Sequence, residues 1–276
     1  MGKRIKNEIQ KRIDEILAHM TLREKIGQLN QEALRRNNIN DLMEKIRRGE
    51  VGSILLADST TPGNDYQQKL PIEVINKLIN CAINESRCKI PLIFGRDVIH
   101  GHETVLPVPL ALAATFNPEI IRNGYRAIAA EASNDGIDWG YSPVLDIARD
   151  PRWGRISETY GEDPYLVGEL GKQMVIGLQA HGLVATPKHF AVYSIPVGGR
   201  DGNTRTDPHV GEREMRTLYL EPFRKARAEA GALGVMSSYN DYNGEPITGS
   251  RRFLTDILRH EWGFKGYVVS DSEALE

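Results

Sequence analysis

Five charged side chains stand just past short apolar runs in this sequence: Asp97, Asp146, Lys188, His189 and Asp271. Asp271 closes the stretch Gly266-Tyr267-Val268-Val269-Ser270-Asp271, whose composition is that of a buried strand. A strand that delivers a carboxylate at its C-terminal tip is a rigid mount for a catalytic group. The competing reading is that Asp271 caps a following helix, because Ser-Asp before Ala-Leu is also a helix-start pattern. Lys188 and His189 can donate hydrogen bonds to ligand hydroxyls, with Phe190 anchoring the turn behind them.

Three further groupings could carry chemistry. Arg149-Asp150-Pro151-Arg152-Trp153-Gly154-Arg155, followed by Glu158 to Asp163, is dense in opposite charges. It reads as a loop locked by arginine–carboxylate pairs, with one arginine free to grip a hydroxylated ligand above the tryptophan. Asp97, His100, His102 and Glu103 raise a metal reading. The order His-x-His-Glu is not the His-Glu-x-x-His of zinc helices, and the alternative is histidines pairing with backbone groups in a tight turn at Gly101; the expectation is no metal. Asp207, His209, Glu212 and Glu214 lie in or near a long polar loop starting around Gly198-Gly199-Arg200-Asp201, a length that suits a binding element.

The elements that must position these groups follow from periodicity. Ile5, Ile9, Ile13, Ile16, Leu17 and Met20 mark an amphipathic first helix. Thr21-Leu22-Arg23-Glu24 is a capping box opening a second. A short helix spans about Asp41 to Arg48 and stops at Gly49, and Val51 to Leu56 reads as the first strand. Asp58 to Leu70 reads as a surface loop. Beyond it, helices are expected over 71–86, 117–134, 163–180, 212–230 and 250–261, alternating with strands at 90–94, 137–144, 183–186, 233–236 and 266–271. Such alternation means a largely parallel sheet covered by helices. A closed (β/α)8 barrel and an open doubly wound sheet both fit. The missing phosphate-binding glycine patterns favour the barrel, as does the charge at successive strand tips, which a barrel gathers into one bowl.

Composition excludes several classes. The 276 residues are 40% apolar and 26% charged with a net charge of −2, ordinary for a soluble globular protein and contrary to the basic face of a nucleic-acid binder. The first residues lack the apolar core of an export signal, and no run of about 18 apolar residues exists, so the chain as written reads as cytoplasmic with no membrane partner. Cys81 and Cys88, placed about two turns apart on one helix, read as free thiols.

Six motifs occur in order: Ile90-Pro91-Leu92-Ile93-Phe94-Gly95-Arg96-Asp97-Val98-Ile99-His100-Gly101, Pro107 through Pro118 (PVPLALAATFNP), Arg149 through Arg155, Lys188-His189-Phe190, Met236-Ser237-Ser238-Tyr239-Asn240, and Val268-Val269-Ser270-Asp271. Together they resemble the N-terminal barrel domain of glycoside hydrolase family 3, of the β-glucosidase and β-xylosidase type, from about Leu22 to Glu276. The resemblance implies an α/β fold, a (β/α)8 TIM-like barrel incomplete at its C-terminus, as one domain over residues 1–276. It implies a retaining, exo-acting β-glycosidase of carbohydrate catabolism, cleaving β-glucosides or β-xylosides at the non-reducing end without a cofactor. Asp271 matches the nucleophile, and Asp97, Arg155, Lys188, His189, Met236 and Tyr239 match positions around the bound sugar. Lys188 and Arg155 would then hold Asp271 low in pKa.

Two departures carry weight. The branch that cleaves N-acetylhexosamine continues Lys-His-Phe with Pro-Gly and a nearby acid/base Asp-x-His; here Ala191-Val192-Tyr193 follows, and Asp207-Pro208-His209 is displaced. In the glucosidase branch the acid/base is a glutamate on a second α/β domain, C-terminal to the barrel. The expectation is therefore a fragment that is catalytically weak alone or only binds sugar. Relatives are often periplasmic or secreted.

Overall fold

The structure, a computed structural model, describes residues 2–35, 37–56, 72–194, 206–272 and 274–275, with side chains from residue 7. The expected loop at 58–70 and the start of the long polar loop at 198–201 lie outside the described residues. The chain divides into two compact units, Met1–Arg96 and Asp97–Glu276.

In the first unit, helix α1 spans Gly2–His19, and its apolar stripe of Ile9, Ile13 and Leu17 is exposed. Helix α2, Leu22–Gln28, opens with the capping box: Thr21 Oγ1 accepts from the Glu24 amide at 3.3 Å, and Glu24 Oε2 accepts from the Thr21 amide at 2.8 Å. Arg87 then clamps the same carboxylate through Nε at 2.8 Å and through its second guanidinium nitrogen. Strand β1, Gln31–Ala33, was not expected; all three residues are half-buried, so no apolar pattern marks it. Helix α3 is Ile39–Arg47, strand β2 Ser53–Leu55, helix α4 Ile72–Asn84 and strand β3 Ile93–Arg96. The three strands are parallel, with Ile54 opposite Glu32 and Phe94. Leu34, Leu42, Ile46, Ile54, Leu78 and Phe94 form the core between strands and helices. β3 lies later than the expected 90–94, because Pro91 has no amide to give a ladder, and Gly95-Arg96 belong to it. Cys81 is buried in α4 while Cys88 sits past its end, so the two do not share a helix; both are free.

The second unit begins with helices α5, Pro109–Ala113, and α6, Pro118–Asn134, whose Asn117 cap accepts from the amides of Glu119 and Ile120. Strand β4, Trp139–Gly140, helix α7, Pro164–Gln179, and strand β5, Val184–Ala185, follow. Helix α7 packs on α6. Gly177 permits it: a Cβ there would stand 2.6 Å from the Arg122 carbonyl. The helix expected over 212–230 is three pieces: α8, Glu212–Glu214, a wide i→i+5 turn over Met215–Tyr219, and α9, Glu221–Ala230. Pro222 in the first turn of α9 lacks an amide and restarts the helix. Strand β6, Gly234–Met236, precedes a hairpin of β7, Asp241–Tyr242, and β8, Glu245–Pro246. A helix of i→i+5 turns, Arg252–Glu261, leads to strand β9, Tyr267–Val269.

Four of these segments lie side by side and parallel. β4 pairs with β5, and their extensions bridge at Val144 and Lys188. Phe190 bridges to Ser237 just beyond β6, and β6 pairs with β9 through Val235 opposite Val268. The expected strand over 137–144 is thus two residues plus one bridge, since Pro143 interrupts the ladder. Trp139 wedges between Tyr141 and Tyr267 at 5.0 and 4.8 Å and donates to Thr186 Oγ1 at 2.5 Å, fixing the lower ends of these strands. Their upper ends carry Asp146, Lys188, His189, Tyr239 and Asp271.

Candidate active site

Parallel order brings the strand tips together. Behind them, Phe190 is buried against Phe223, Phe253 and Trp262 at 5.4 to 6.2 Å, which anchors the turn as expected. Val192 is held at φ 63°, a conformation costly for a β-branched residue. Its neighbour Ala191 offers a carbonyl that accepts from Ser238 Oγ and Asn240 Nδ2 at 3.3 and 3.2 Å. The backbone of the Lys-His-Phe tip is therefore tied to the Met-Ser-Ser-Tyr-Asn tip. Met236 lies within that frame, buried, with its amide on the Pro187 carbonyl and its carbonyl accepting from Phe190.

Lys188 and Arg155 are each met by a carboxylate, and Asp146 and Asp271 face the two nitrogens of His189. Lys188, buried, donates from Nζ to Asp97 Oδ2 at 2.6 Å, while Asp97 Oδ1 accepts from the Ile99 amide. Arg155, 4% exposed, makes a two-point pair with Glu158: Nε to Oε1 at 2.9 Å and a terminal nitrogen to Oε2 at 2.7 Å. Its guanidinium lies over the Tyr193 ring at 5.8 Å, and Tyr193 sits edge-on to buried Trp153 and to His189. Asp146, 2% exposed, accepts from the His189 amide at 3.2 Å and faces His189 Nδ1 at 2.7 Å. On the other side of the ring, Nε2 lies 3.4 Å from Asp271 Oδ2. Asp271 also interacts with the Tyr239 hydroxyl and accepts from the Ser272 amide. Asp97, Arg155, Lys188, His189, Tyr239 and Asp271 thus form one connected cluster, with Met236 in the frame behind it.

The electrostatics overturn one expectation. Lys188, Arg155, the Ser272 amide and Tyr239 all pull the Asp271 carboxyl down, but desolvation outweighs them and its pKa lies above the usual carboxylate value. The two cations are already engaged by Asp97 and Glu158, so less of their charge reaches Asp271. Burial pushes the Tyr193 hydroxyl up to about 12 and Tyr239 higher still, the latter reinforced by Asp271. Both remain hydrogen-bond donors at any working pH.

Several other candidates are committed to the scaffold. Arg149 pairs with Glu214, and Arg152 with Asp150. Asp207 accepts from the amides of Asn243 and Gly244 at 2.8 and 2.6 Å and so pins the β7–β8 turn. Glu212 binds Arg216 and Arg252. His209 is exposed. Of the histidines after Asp97, His102 pairs with a side chain rather than with a backbone group: buried, it places Nε2 2.8 Å from Asp135 Oδ2 and 4.0 Å from Glu103. These three are the only described residues whose donors approach one another as metal ligands would. His102 Nε2 is already in hydrogen-bond contact with Asp135, and His100 is not in the group. Sequence reasoning named Asp146 as a strand-tip charge and missed its bond to His189; it also passed over Tyr193.

Comparison with known proteins places this cluster. The family model described as the glycosyl hydrolase family 3 N-terminal domain matches residues 21–276. The chain belongs to glycosyl hydrolase family 3. Its fold class is accordingly the α/β TIM-like barrel of that family's N-terminal domain. A periplasmic β-glucosidase of Salmonella typhimurium is 37% identical over 271 residues, which covers 96% of this chain and 33% of the relative. A protein named as a putative β-xylosidase of Formosa agariphila is 32% identical, covering 97% of this chain and 37% of that one. A mutant β-glucosidase of Listeria innocua in complex with laminaribiose superposes with a TM-score of 0.82 at 33% identity, over 96% of this chain and 38% of that one. An exo-1,3/1,4-β-glucanase of Pseudoalteromonas gives 0.83 at 28% identity, over 97% and 35%. The chain therefore spans about a third of the length of the relatives it matches.

Proposed function

We propose that this family 3 chain is the nucleophile-bearing part of a retaining β-glycosidase that releases sugars from the non-reducing end of β-glucosides or β-xylosides. The observation that carries the reading is the position of Asp271: it follows β9, is 13% exposed, and has a carboxylate oxygen directed at His189 within the charged cluster. A retaining mechanism needs a carboxylate that attacks the anomeric carbon, forms a glycosyl ester and is later released by water. Asp97, 26% exposed, and Lys188 present an acceptor and donors to adjacent sugar hydroxyls. Tyr239, half-buried, holds its hydroxyl beside Asp271, where it steadies the attacking carboxylate. The cluster can bind, orient and attack without a metal or organic cofactor in any of these roles.

Proton donation to the leaving group comes from outside the cluster in this reading. Among the described residues around Asp271, the carboxylates Asp97, Asp146 and Glu158 each hold a cation or a histidine. The chain alone therefore acts slowly on ordinary glycosides and faster on activated ones, whose leaving groups need little protonation. The relative named as periplasmic supports an exported location; none of the described helices is long and apolar enough to cross a membrane.

Incubation with 2-deoxy-2-fluoro-β-glucosyl fluoride, then peptide mass spectrometry, tests the assignment. An adduct on the peptide containing Asp271, absent in Asp271→Asn, is expected. Sugar binding without an adduct would instead make the chain a carbohydrate-binding fragment.

A further inference from the structure

Asp146 is out of reach of any ligand, yet it touches the site twice, both times through His189. Its Oδ2 accepts the His189 backbone N–H and meets the ring Nδ1. The opposite ring nitrogen, Nε2, and Asp271 Oδ2 face each other across 3.4 Å, and both are buried with no hydrogen-bond partner among the described residues. Each imidazole nitrogen thus looks at a carboxylate oxygen. Between two ionised carboxylates a neutral imidazole, with one N–H and one lone pair, would leave one of them facing that lone pair. We propose that Asp146 is a positioning residue that keeps the His189 ring doubly protonated, clamped between two carboxylates, so that Nε2–H holds and aims the Asp271 oxygen. The proposal rests on the reading of Asp271 as nucleophile.

The surrounding charges leave this task to His189. Arg155 is engaged by Glu158 and Lys188 by Asp97, while Tyr193 and Tyr239 contribute neutral hydroxyls from the other flanks. Asp146 and Asp271 are then two buried carboxylates with one imidazole between them. Burial pushes the Asp146 carboxyl up to about 8 and pushes the His189 imidazolium down. In contact at 2.7 Å, the two titrate as a unit. With one proton shared between them, Nε2 keeps its N–H toward Asp271 whether that proton lies on Asp146 or on Nδ1; Asp146 Oδ2 already accepts the His189 backbone N–H, the role of an ionised oxygen, which places the proton on the ring. It is present below the pair's titration and lost as pH rises through it, whereupon an Nε2 lone pair meets the Asp271 carboxylate and the aim is lost.

Two measurements test this. In the wild-type chain at pH 6.5, the 15N spectrum of His189, assigned with His189→Gln, is expected to place both ring nitrogens in the protonated range. One unprotonated nitrogen would overturn the proposal without any variant having to fold. Second, the rate of Asp271 labelling by 2-deoxy-2-fluoro-β-glucosyl fluoride is followed against pH. The wild-type profile is expected to fall on an alkaline limb as the pair loses its proton. In Asp146→Asn, with folding checked by circular dichroism, loss of the negative charge moves that limb to lower pH by about one unit or more, a roughly tenfold or greater loss of rate on it. Superimposable profiles overturn the proposal. An unlabelled wild type whose His189 is doubly protonated removes the nucleophile reading and leaves the clamp supported.

Discussion

Replacing Arg155 by Met separates what holds the site together from what the site does. Arg155 is buried and its two hydrogen bonds to Glu158 are 2.9 and 2.7 Å. Unit charges about 4 Å apart at an effective dielectric near 20 attract by about 4 kcal/mol, and breaking a buried pair from one side typically costs about 3–5 kcal/mol. The Glu158 side chain is 17% exposed, so water reaches the orphaned carboxylate and the lower end applies: about 3 kcal/mol for Arg155→Met. Glu158→Leu strands the more buried partner and should cost at least as much. The double variant removes both charges and replaces them with apolar volume beside Tyr193 and Trp153, so its stability should return to within about 1 kcal/mol of wild type. Urea unfolding of the four proteins gives the coupling energy directly. Labelling of Asp271 should not recover in the double variant, because a cation that pulled the Asp271 carboxyl down is gone. With the carboxyl pKa raised further, the acid limb of labelling moves to higher pH. Additive destabilisations would refute the buried pair as a unit. A double variant that labels like wild type would reduce Arg155 to scaffolding.

Other perturbations probe the frame. Thr21→Ala removes one half of the capping box and should lower the stability of the first unit by about 1 kcal/mol in urea unfolding. Glu24 in the same box is held well below the usual carboxylate range by Arg87 first and the Thr21 amide second. Its contribution is complete above the unfolded glutamate value and is lost as pH falls toward the folded one. Glu24→Gln should therefore flatten the acid side of the stability–pH curve, and an unchanged curve would exclude the contact as a source of stability. Gly177→Ala drives a Cβ to 2.6 Å from the Arg122 carbonyl, backbone that cannot swing away, so α6 and α7 must part at a cost of about 1–3 kcal/mol. A thermal melt unchanged from wild type would contradict that packing.

Much of the frame was legible because it depends on local signals. Thr21 with Glu24, Asn117 before Pro118 and Asp163 before Pro164 each mark a helix start, and each side chain accepts the amides its type predicts. Alternation of strand and helix was legible for the same reason. What escaped lacked a local signature. β1 has no apolar pattern, and the i→i+5 helices keep the composition of ordinary ones. The β7–β8 hairpin did carry a signal, since Asn243-Gly244 is the pair a two-residue turn needs, and φ of 52° and 79° there bears that out; it falls between the strand expected at 233–236 and the helix expected at 250–261, where no element was expected.

The site itself was legible as a set of residue types and not as a set of partnerships. Lys188 and Asp97 are 91 residues apart, and Asp146 and His189 are 43 apart. No spacing rule links them; only the parallel order of the strands does. That difference explains the wrong sign for Asp271. Counting Lys188 and Arg155 as free cations predicts a depressed carboxyl, whereas each is engaged by its own carboxylate and burial prevails. A carboxyl in such a place depends on whatever donors meet it directly. Of these, Tyr239 and the Ser272 amide were available to inspection of the local sequence, and His189 becomes one only through the buried Asp146 behind it. A cluster whose charges cancel in pairs is therefore governed by its neutral and half-neutral members, and substitutions at Asp146 or Tyr239 should move the pH dependence of Asp271 more than those at Asp97.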